Sequence, residues 1–362
     1  MKIFIDIVGC RLNQSEAEGF ANVFRALGHQ IVEDPGDADL AIINTCAVTV
    51  KASADSRKKL RGAVRAGATR VIATGCWATL YPQDAVDLAE GIETLANDEK
   101  ENLVSSVLSI PPDMVAQLSL IREPLPGDRG RTRAFIKVQE GCDNHCTYCL
   151  TRVARGRSRS RRLVDIRKDI QAALAGDAKE IVLTGVQLGG WGKDFEEPQG
   201  LADLLEDLLK IEGYERLRLS SIEPWDFDPS LMGFWGDQRL CRHLHIPLQA
   251  GNDRILKAMG RPITTQQFAD LLAYIRQVVP EMAITTDVIT GFPGESEEDF
   301  ANTKAFIEEM HFAGGHVFTF SPRPGTAAYQ MKEHVPSNVA KARNAFLREV
   351  FQVSGYAYRS QF

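Results

Sequence analysis

The sequence predicts an α/β protein in two parts, an open parallel α/β sheet at the N-terminus followed by a partial (β/α)6 barrel. Three observations carry this prediction. Short apolar strand-like runs alternate with amphipathic helical stretches from the first residues onward. Residues 109–133, rich in Pro, interrupt the alternation. Beyond them it resumes with about six more strand-like runs, as in barrels of parallel strands whose active sites lie at the carboxyl ends of the strands.

The first strand is read at 3–8, where Ile3, Ile5 and Ile7 alternate. A helix follows at 14–27 with Ala17, Phe20, Phe24 and Leu27 on one face. Asn13 is its expected N-cap, with Glu16 three residues on, and Gly28 is placed to stop it. Strands at 40–44 and 70–74 flank a helix at 51–65, completing a domain over 1–108. Pro111, Pro112, Pro124, Pro126 and Gly130 break all periodicity in the segment 109–133, which reads as a linker. The second domain, 134–362, offers strands at 134–138, 180–184, 216–220, 243–246, 283–289 and 315–320. Leu163, Ile166, Ile170 and Leu174 mark one face of an intervening helix.

Composition excludes several classes. At 362 residues and 44% hydrophobic content the chain can bury two domain cores, and no segment has the polarity of a disordered tail. No apolar run approaches a membrane span, and the N-terminus alternates as a strand does, so a cytoplasmic location and no membrane partner are expected. Six of the seven cysteines fall into two groups of three, which favours metal binding over a disulfide framework. Cys241, outside both groups, reads as a packed thiol. With a net charge of −6, a polyanionic partner must dock on a local patch.

The first group is Cys142, Cys146 and Cys149, a CxxxCxxC run directly after the strand at 134–138. Three thiolates can bind a four-iron cluster and leave one iron open for a substrate or cofactor. Zinc sites usually close their coordination with two CxxC pairs, whereas this triplet supplies one, Cys146 and Cys149, and a single further cysteine. The spacing, with Tyr148 just before the last cysteine, resembles the signature of the radical S-adenosylmethionine (radical SAM) superfamily. The resemblance implies that the open iron chelates SAM and delivers the electron that cleaves it.

The second group is scattered, yet Cys10, Cys46 and Cys76 each follow an expected strand. Carboxyl ends of parallel strands share one edge, so the three can converge on one site. Buried free thiols are the plainer reading of each alone. Gly9 and Gly75 would let backbone pass close to a bulky cluster. Gly9-Cys10-Arg11-Leu12-Asn13-Gln14, Asn44-Thr45-Cys46-Ala47-Val48-Thr49, Gly75-Cys76 and the CxxxCxxC run are together similar in order and spacing to the methylthiotransferase family.

That resemblance implies two 4Fe-4S clusters, an auxiliary one on Cys10, Cys46 and Cys76 and a SAM-cleaving one on Cys142, Cys146 and Cys149. One SAM would give a methyl group to sulfur and another a 5′-deoxyadenosyl radical. GCRLNQ and NTCAVT most resemble the branch that adds a methylthio group to C2 of N6-threonylcarbamoyladenosine beside the anticodon. Sister branches act on isopentenyladenosine in tRNA or on a ribosomal-protein aspartate. The implied partners are a tRNA anticodon stem-loop, a sulfur source, and an electron donor such as flavodoxin or ferredoxin. A non-catalytic iron–sulfur RNA-binding protein, the rival of a different class, would not cleave SAM.

Other candidates cluster at strand ends. Gly185 and Gln187 follow the second barrel strand, near which the resemblance places the methionyl end of SAM, and Tyr148 is a further cofactor-binding candidate. Glu223, after the third, could accept from ribose hydroxyls or be a solvated loop acid. Gln249 and Asp287 belong to the fourth and fifth and look like family segments lining the same mouth. Arg152, Arg155, Arg157, Arg159, Arg161 and Arg162 crowd the stretch after the cysteine loop with no acid among them. They read as phosphate contacts for RNA, with a solvated face as the alternative. The family normally continues into a small TRAM β-barrel; the sequence stops at Ser360-Gln361-Phe362, about where it would start, so a chain lacking it is expected.

Overall fold

The computed structural model describes residues 1–127 and 132–361; Gly130 and Phe362 lie outside the described residues. The chain forms two compact units. One comprises Met1–Asp143, Leu150–Val186 and Ile211–Leu217, the other Asn144–Cys149, Gln187–Lys210 and Arg218–Phe362.

The first unit opens with β1 (Lys2–Ile7), α1 (Arg11–Ala26), β2 (Gln30–Val32), β3 (Leu40–Thr45), α2 (Val50–Ala66), β4 (Arg70–Gly75), α3 (Cys76–Leu80), α4 (Pro82–Val86) and β5 (Ile92–Leu95). The strands make a parallel sheet in the order β2-β1-β3-β4-β5. β3 is buried at every position, as a central strand covered on both faces must be. Its Leu40 and Ile42 pack with Ile3, Ile5 and Ile72 under Ala17, Ala21 and Phe24 of α1. Its Ala41 and Ile43 face the other way, against Leu60 and Ala63 of α2 and Trp77. The register pairs Ile7 with Asn44 and Asn44 with Thr74, so the three strands end level.

Two local expectations change. α1 starts at Arg11, with Cys10 at its N-cap, because Gly9 at φ 102 turns the chain directly out of β1. Asn13 therefore sits inside the helix, and its Nδ2 donates to the carbonyls of Val8 (2.8 Å) and Thr45 (3.0 Å). Within the expected linker, the described residues 109–127 are not a free connection. After α5 (Leu103–Leu108) and α6 (Pro112–Ala116), Leu125 enters the core of the first sheet. Arg122 meets Glu18 at 2.7 Å with both side chains about 5% exposed or less. This packing puts residues 109–127 inside the first unit.

The six later strands fall within about a residue of expectation: β6 (Arg133–Lys137), β9 (Glu180–Thr184), β10 (Arg216–Leu219), β11 (His243–His245), β12 (Ala283–Thr290) and β13 (Gly314–Thr319). They supply the strands of the partial (β/α)6 barrel as two parallel sheets, β10-β9-β6 and β11-β12-β13. In the first unit, β7 (Gln139–Glu140) pairs antiparallel with β8 (Arg159–Ser160) around α7 (Thr151–Arg155). α8 (Leu163–Ala175) follows, burying Ile166 and Ile170 as expected. The second unit holds α9 (Leu201–Leu208), α10 (Asp253–Ala258), α11 (Thr265–Val278), α12 (Glu297–Met310), α13 (Ala327–Gln330) and α14 (Ser337–Arg359). β12 alternates half-buried and buried residues, so Thr285, Asp287 and Ile289 share one face and Thr286, Val288 and Thr290 the opposite one. Among the described residues no helix is long and apolar enough to cross a membrane.

Candidate functional site

In the first unit the level strand ends deliver the three separated cysteines to one edge. Cys46 follows β3 directly, Cys76 follows β4 and opens α3, and Cys10 caps α1 three residues after β1. The approach is close: a Cβ on Gly9 would lie 2.5 Å from Cys46 Sγ, and one on Gly75 would lie 2.3 Å from the Thr45 carbonyl. Burial pushes the Cys46 thiol up to about 12; the Val48 N–H lowers it, and the charges of Cys10 and Cys76 raise it further. The three thiols therefore sense one another. Among the described residues no group of three or more His, Cys, Asp or Glu side chains is suited to a single metal ion. A four-iron cluster asks for something wider, since each thiolate binds a different iron. Three thiols on one edge, flanked by two glycines that leave room, fit that group.

Beside this edge lies a buried ion network. Glu16, 2% exposed, accepts from Lys100 Nζ (2.8 Å), Arg155 Nη1 (2.8 Å) and Asn44 Nδ2 (3.1 Å). Burial alone would raise the Glu16 carboxyl, but Lys100, Arg155 and Lys137 hold it well below the usual carboxylate range. Arg155 was expected to contact RNA, and here the structure corrects the sequence reading. Its side chain is 2% exposed, and its guanidinium is taken up by Glu16 and Asn13. Arg161 is half-buried, donating to Asp169 and to the Lys137 carbonyl. Arg157 and Arg159 stay exposed, the latter paired with Glu140.

The CxxxCxxC loop contributes to both units, and each part is braced by its own surroundings. In the first unit Cys142 N–H donates to the Gly156 carbonyl at 3.2 Å. Gly141, at φ 70, lies so close to the Arg157 carbonyl that a Cβ would be 1.8 Å from it. Gln139 donates to the Glu140 and Gly141 carbonyls and to Ser158. Gly185 lies in this unit against Gln139, 3.0 Å separating its would-be Cβ from Oε1.

In the second unit Cys149 N–H donates to the Cys146 carbonyl at 3.1 Å, and Thr147 is tied to Met259, Ala258 and Ala328. Burial raises the thiol of Cys146, opposed by Arg261, and puts the Tyr148 hydroxyl well above its ordinary value. Arg261 was not foreseen in the sequence. Its side chain is fully buried, meets Glu223 Oε2 at 2.8 Å and stacks 4.6 Å from the Trp225 ring, while its Nε and Nη1 have no protein partner. Buried guanidinium donors left over in this way fit a ligand carboxylate. Glu223, Cys146, Cys149, Tyr148 and Arg261 thus form one electrostatic group. Gln187 instead donates to Asp226 at 2.9 Å. Gln249, at φ 73, is joined to β12 by backbone bonds to Asp287 and Ile289. Asp287 Oδ2 lies 3.2 Å from His245 Nε2, and its buried Oδ1 has no partner. Cys241 is half-buried, two residues before β11.

The chain matches the Radical SAM superfamily over residues 136–307 and the Uncharacterized protein family UPF0004 over residues 2–96. It is 38% identical to the threonylcarbamoyladenosine tRNA methylthiotransferase MtaB of Thermotoga maritima, over 99% of this chain and 83% of that protein. The Bacillus subtilis protein of the same name is 35% identical over 98% and 81%. The tRNA-2-methylthio-N(6)-dimethylallyladenosine synthase of Geobacillus thermodenitrificans is 33% identical over 99% and 72%. Among solved structures, the radical SAM methyltransferase TsrM of Kitasatospora setae with cobalamin and a [4Fe-4S] cluster bound aligns at TM-score 0.64 and 12% identity. That alignment covers 90% of this chain and 76% of TsrM and speaks for the fold.

Proposed function

The chain belongs to the methylthiotransferase family of radical SAM enzymes, and on that premise we propose that it adds a methylthio group to C2 of N6-threonylcarbamoyladenosine in tRNA. The observation that carries this reading is the pair of cysteine triads, one convergent at three level strand ends and one local, in a chain that matches the relatives named above almost end to end. Two 4Fe-4S clusters and SAM would supply radical C–H activation and sulfur transfer. Such chemistry is needed because no side-chain base can remove an adenine C2 proton.

The chain's own residues would bind and orient. Cys142, Cys146 and Cys149 would hold the SAM-cleaving cluster, and Cys10, Cys46 and Cys76 the auxiliary one. Arg261 offers two spare buried donors to the SAM carboxylate, and Glu223 keeps that guanidinium in place. Asp287 Oδ1 is a spare buried acceptor for a ribose hydroxyl, and Gln249 is fixed beside it by the bond to the Asp287 carbonyl. Gly185 leaves room for backbone approach, while Tyr148 packs against the apolar cluster of Leu256, Met259 and Phe292. The exposed Arg157 and Arg159 would meet phosphates of the anticodon stem-loop. An electron donor such as flavodoxin or ferredoxin, a sulfur source and a cytoplasmic setting complete the proposal.

The test is reconstitution with iron and sulfide, then incubation with SAM, a reductant and tRNA carrying N6-threonylcarbamoyladenosine, followed by mass spectrometry of the nucleosides. The expected product carries a 2-methylthio group, together with 5′-deoxyadenosine. Changing Cys10, Cys46 and Cys76 to Ala should abolish the modified nucleoside and spare SAM cleavage. Methylthiolation of isopentenyladenosine instead would move the protein to a sister branch, and absence of SAM cleavage would overturn the reading.

A further inference from the structure

α7 begins two residues after Cys149, yet its last two residues are committed to the other cysteine triad. Arg155 Nη2 donates to Asn13 Oδ1 at 2.7 Å, and Cys10 Sγ lies 3.8 Å from that same oxygen. The Asn13 amide also ties together the carbonyls of Val8 and Thr45, just before Cys10 and Cys46. One residue earlier, the Ala154 carbonyl accepts from Asn97 Nδ2 at 2.6 Å, and that nitrogen is 3.9 Å from Cys76 Sγ. Two neighbouring positions of one helical turn therefore reach two of the three thiols, each through a single asparagine.

We propose that Arg155 is a positioning residue of the auxiliary centre, a fixed buried positive charge that raises the reduction potential of the cluster on Cys10, Cys46 and Cys76. The inference rests on the two-cluster reading above. Its physical ground is charge and burial. Within 4 Å of Glu16 stand Arg155, Lys100 and Lys137, three cations around one anion, with Arg155 and Lys100 no more than 3% exposed. Glu140 joins at the Lys137 and Arg155 side, which leaves one positive charge in excess across these five groups. Buried charges are poorly screened. Reduction brings one electron from an external reductant onto a thiolate-ligated cluster, and an adjacent cation favours the reduced form. Arginine keeps its proton in any accessible pH range, so the bias is permanent. Burial would disfavour the Arg155 charge, but Glu16, then Cys76 and Cys10, hold it on.

The test uses the full chain with Cys142, Cys146 and Cys149 changed to Ala, so that only the auxiliary site can load, reconstituted and titrated with dithionite under electron paramagnetic resonance. About four irons per chain are expected. Arg155→Gln should lower the one-electron reduction constant at least tenfold, a midpoint shift of about −59 mV. Arg155→Lys should keep most of the parent midpoint. Glu16→Gln, which removes the opposing charge, should move it upward, an opposite sign that a merely structural role would not produce. A parent without iron would defeat the two-cluster reading, and this inference with it. Full iron with unmoved midpoints in Arg155→Gln and Glu16→Gln would overturn the inference and leave that reading standing. Should Arg155→Gln take up no iron, Glu16→Gln decides: an upward shift supports the proposal, and any other result overturns it.

Discussion

Gly75→Ala should empty the auxiliary site while leaving the fold in place. Gly75 pairs with Thr45 at the edge where β3 and β4 end, immediately before Cys46 and Cys76. A Cβ there would stand 2.3 Å from the Thr45 carbonyl, 2.5 Å from Asn44 Oδ1 and 2.7 Å from the Thr45 nitrogen, and two of these atoms are backbone. The residue also holds φ 91 and ψ −176, a region essentially confined to glycine that costs a side chain about 1–3 kcal/mol. Overpacking adds roughly 1–3 kcal/mol, for a total of about 2–6 kcal/mol. The strand pair can relieve this strain by parting at its carboxyl end, which separates Cys46 from Cys76. Iron per reconstituted chain should fall by about half, the share of one of two four-iron clusters. Gly62→Ala is the control: it lies in α2 with nothing within 4 Å of its would-be Cβ, and should keep all the iron. Full iron in Gly75→Ala, with both cysteines protected from alkylation, would refute the placement of the cluster at this edge.

Arg122→Ala leaves Glu18 buried with Gln14 as its remaining hydrogen-bond partner among the described residues, so the loss should be about 3 kcal/mol, near the low end for a broken buried pair. Hydrogen exchange in α1 and around Leu125 should quicken roughly a hundredfold, and a change under tenfold would count against this anchor. Asp299, in the first turn of α12, is held at about 2 by Arg254 and Ser296. A depressed carboxyl stabilises fully above its unfolded value near ~3.9 and loses that contribution as pH falls through about 2. Because Arg254 is 58% exposed, the contribution is about 1 kcal/mol after screening. Urea midpoints of Asp299→Asn and the parent should differ at pH 6 and converge toward pH 2. Changing Arg157 and Arg159 together to Ala should weaken tRNA binding and reduce the salt slope by about 1–2, with SAM cleavage unchanged; an unaltered slope would remove both from the interface.

Much of the fold was legible because its signals are local. The six barrel strands and the three central strands of the N-terminal sheet are short apolar runs beside clear helices, and their bounds moved by little more than a residue. β2 and β5 escaped notice: they are edge strands of three and four residues, only partly buried, with too little alternation to register. The segment 109–133 misled for another reason. Proline reports that a helix is broken, not that the chain is exposed, and Leu125 and Arg122 show such a segment packing into a core. Asn13 misled by its chemistry, since a side chain suited to capping a helix serves as well to tie two strand ends together.

The site divides the same way. CxxxCxxC lies within eight residues, and the scattered triad was readable because a parallel sheet turns three strand ends into one edge. What sequence could not give is which charges meet across long separations. Arg155 and Glu16 are 139 residues apart, and Arg261 and Glu223 are 38 apart. The arginine run shows the consequence. It contains no acid, yet Glu16, Glu140 and Asp169 from other elements neutralise three of its members, so a stretch that reads as one basic patch is several unlike parts. Arg155 is taken up by Glu16 and Asn13, Arg161 ties α8 to β6, and Arg157, Arg159 and Arg162 are exposed enough to meet a phosphate. A variant that strips the whole run would therefore disturb a buried ion network and a surface contact together. Separating Arg155 from Arg157 and Arg159 lets loss of RNA binding be told apart from a change at the cluster.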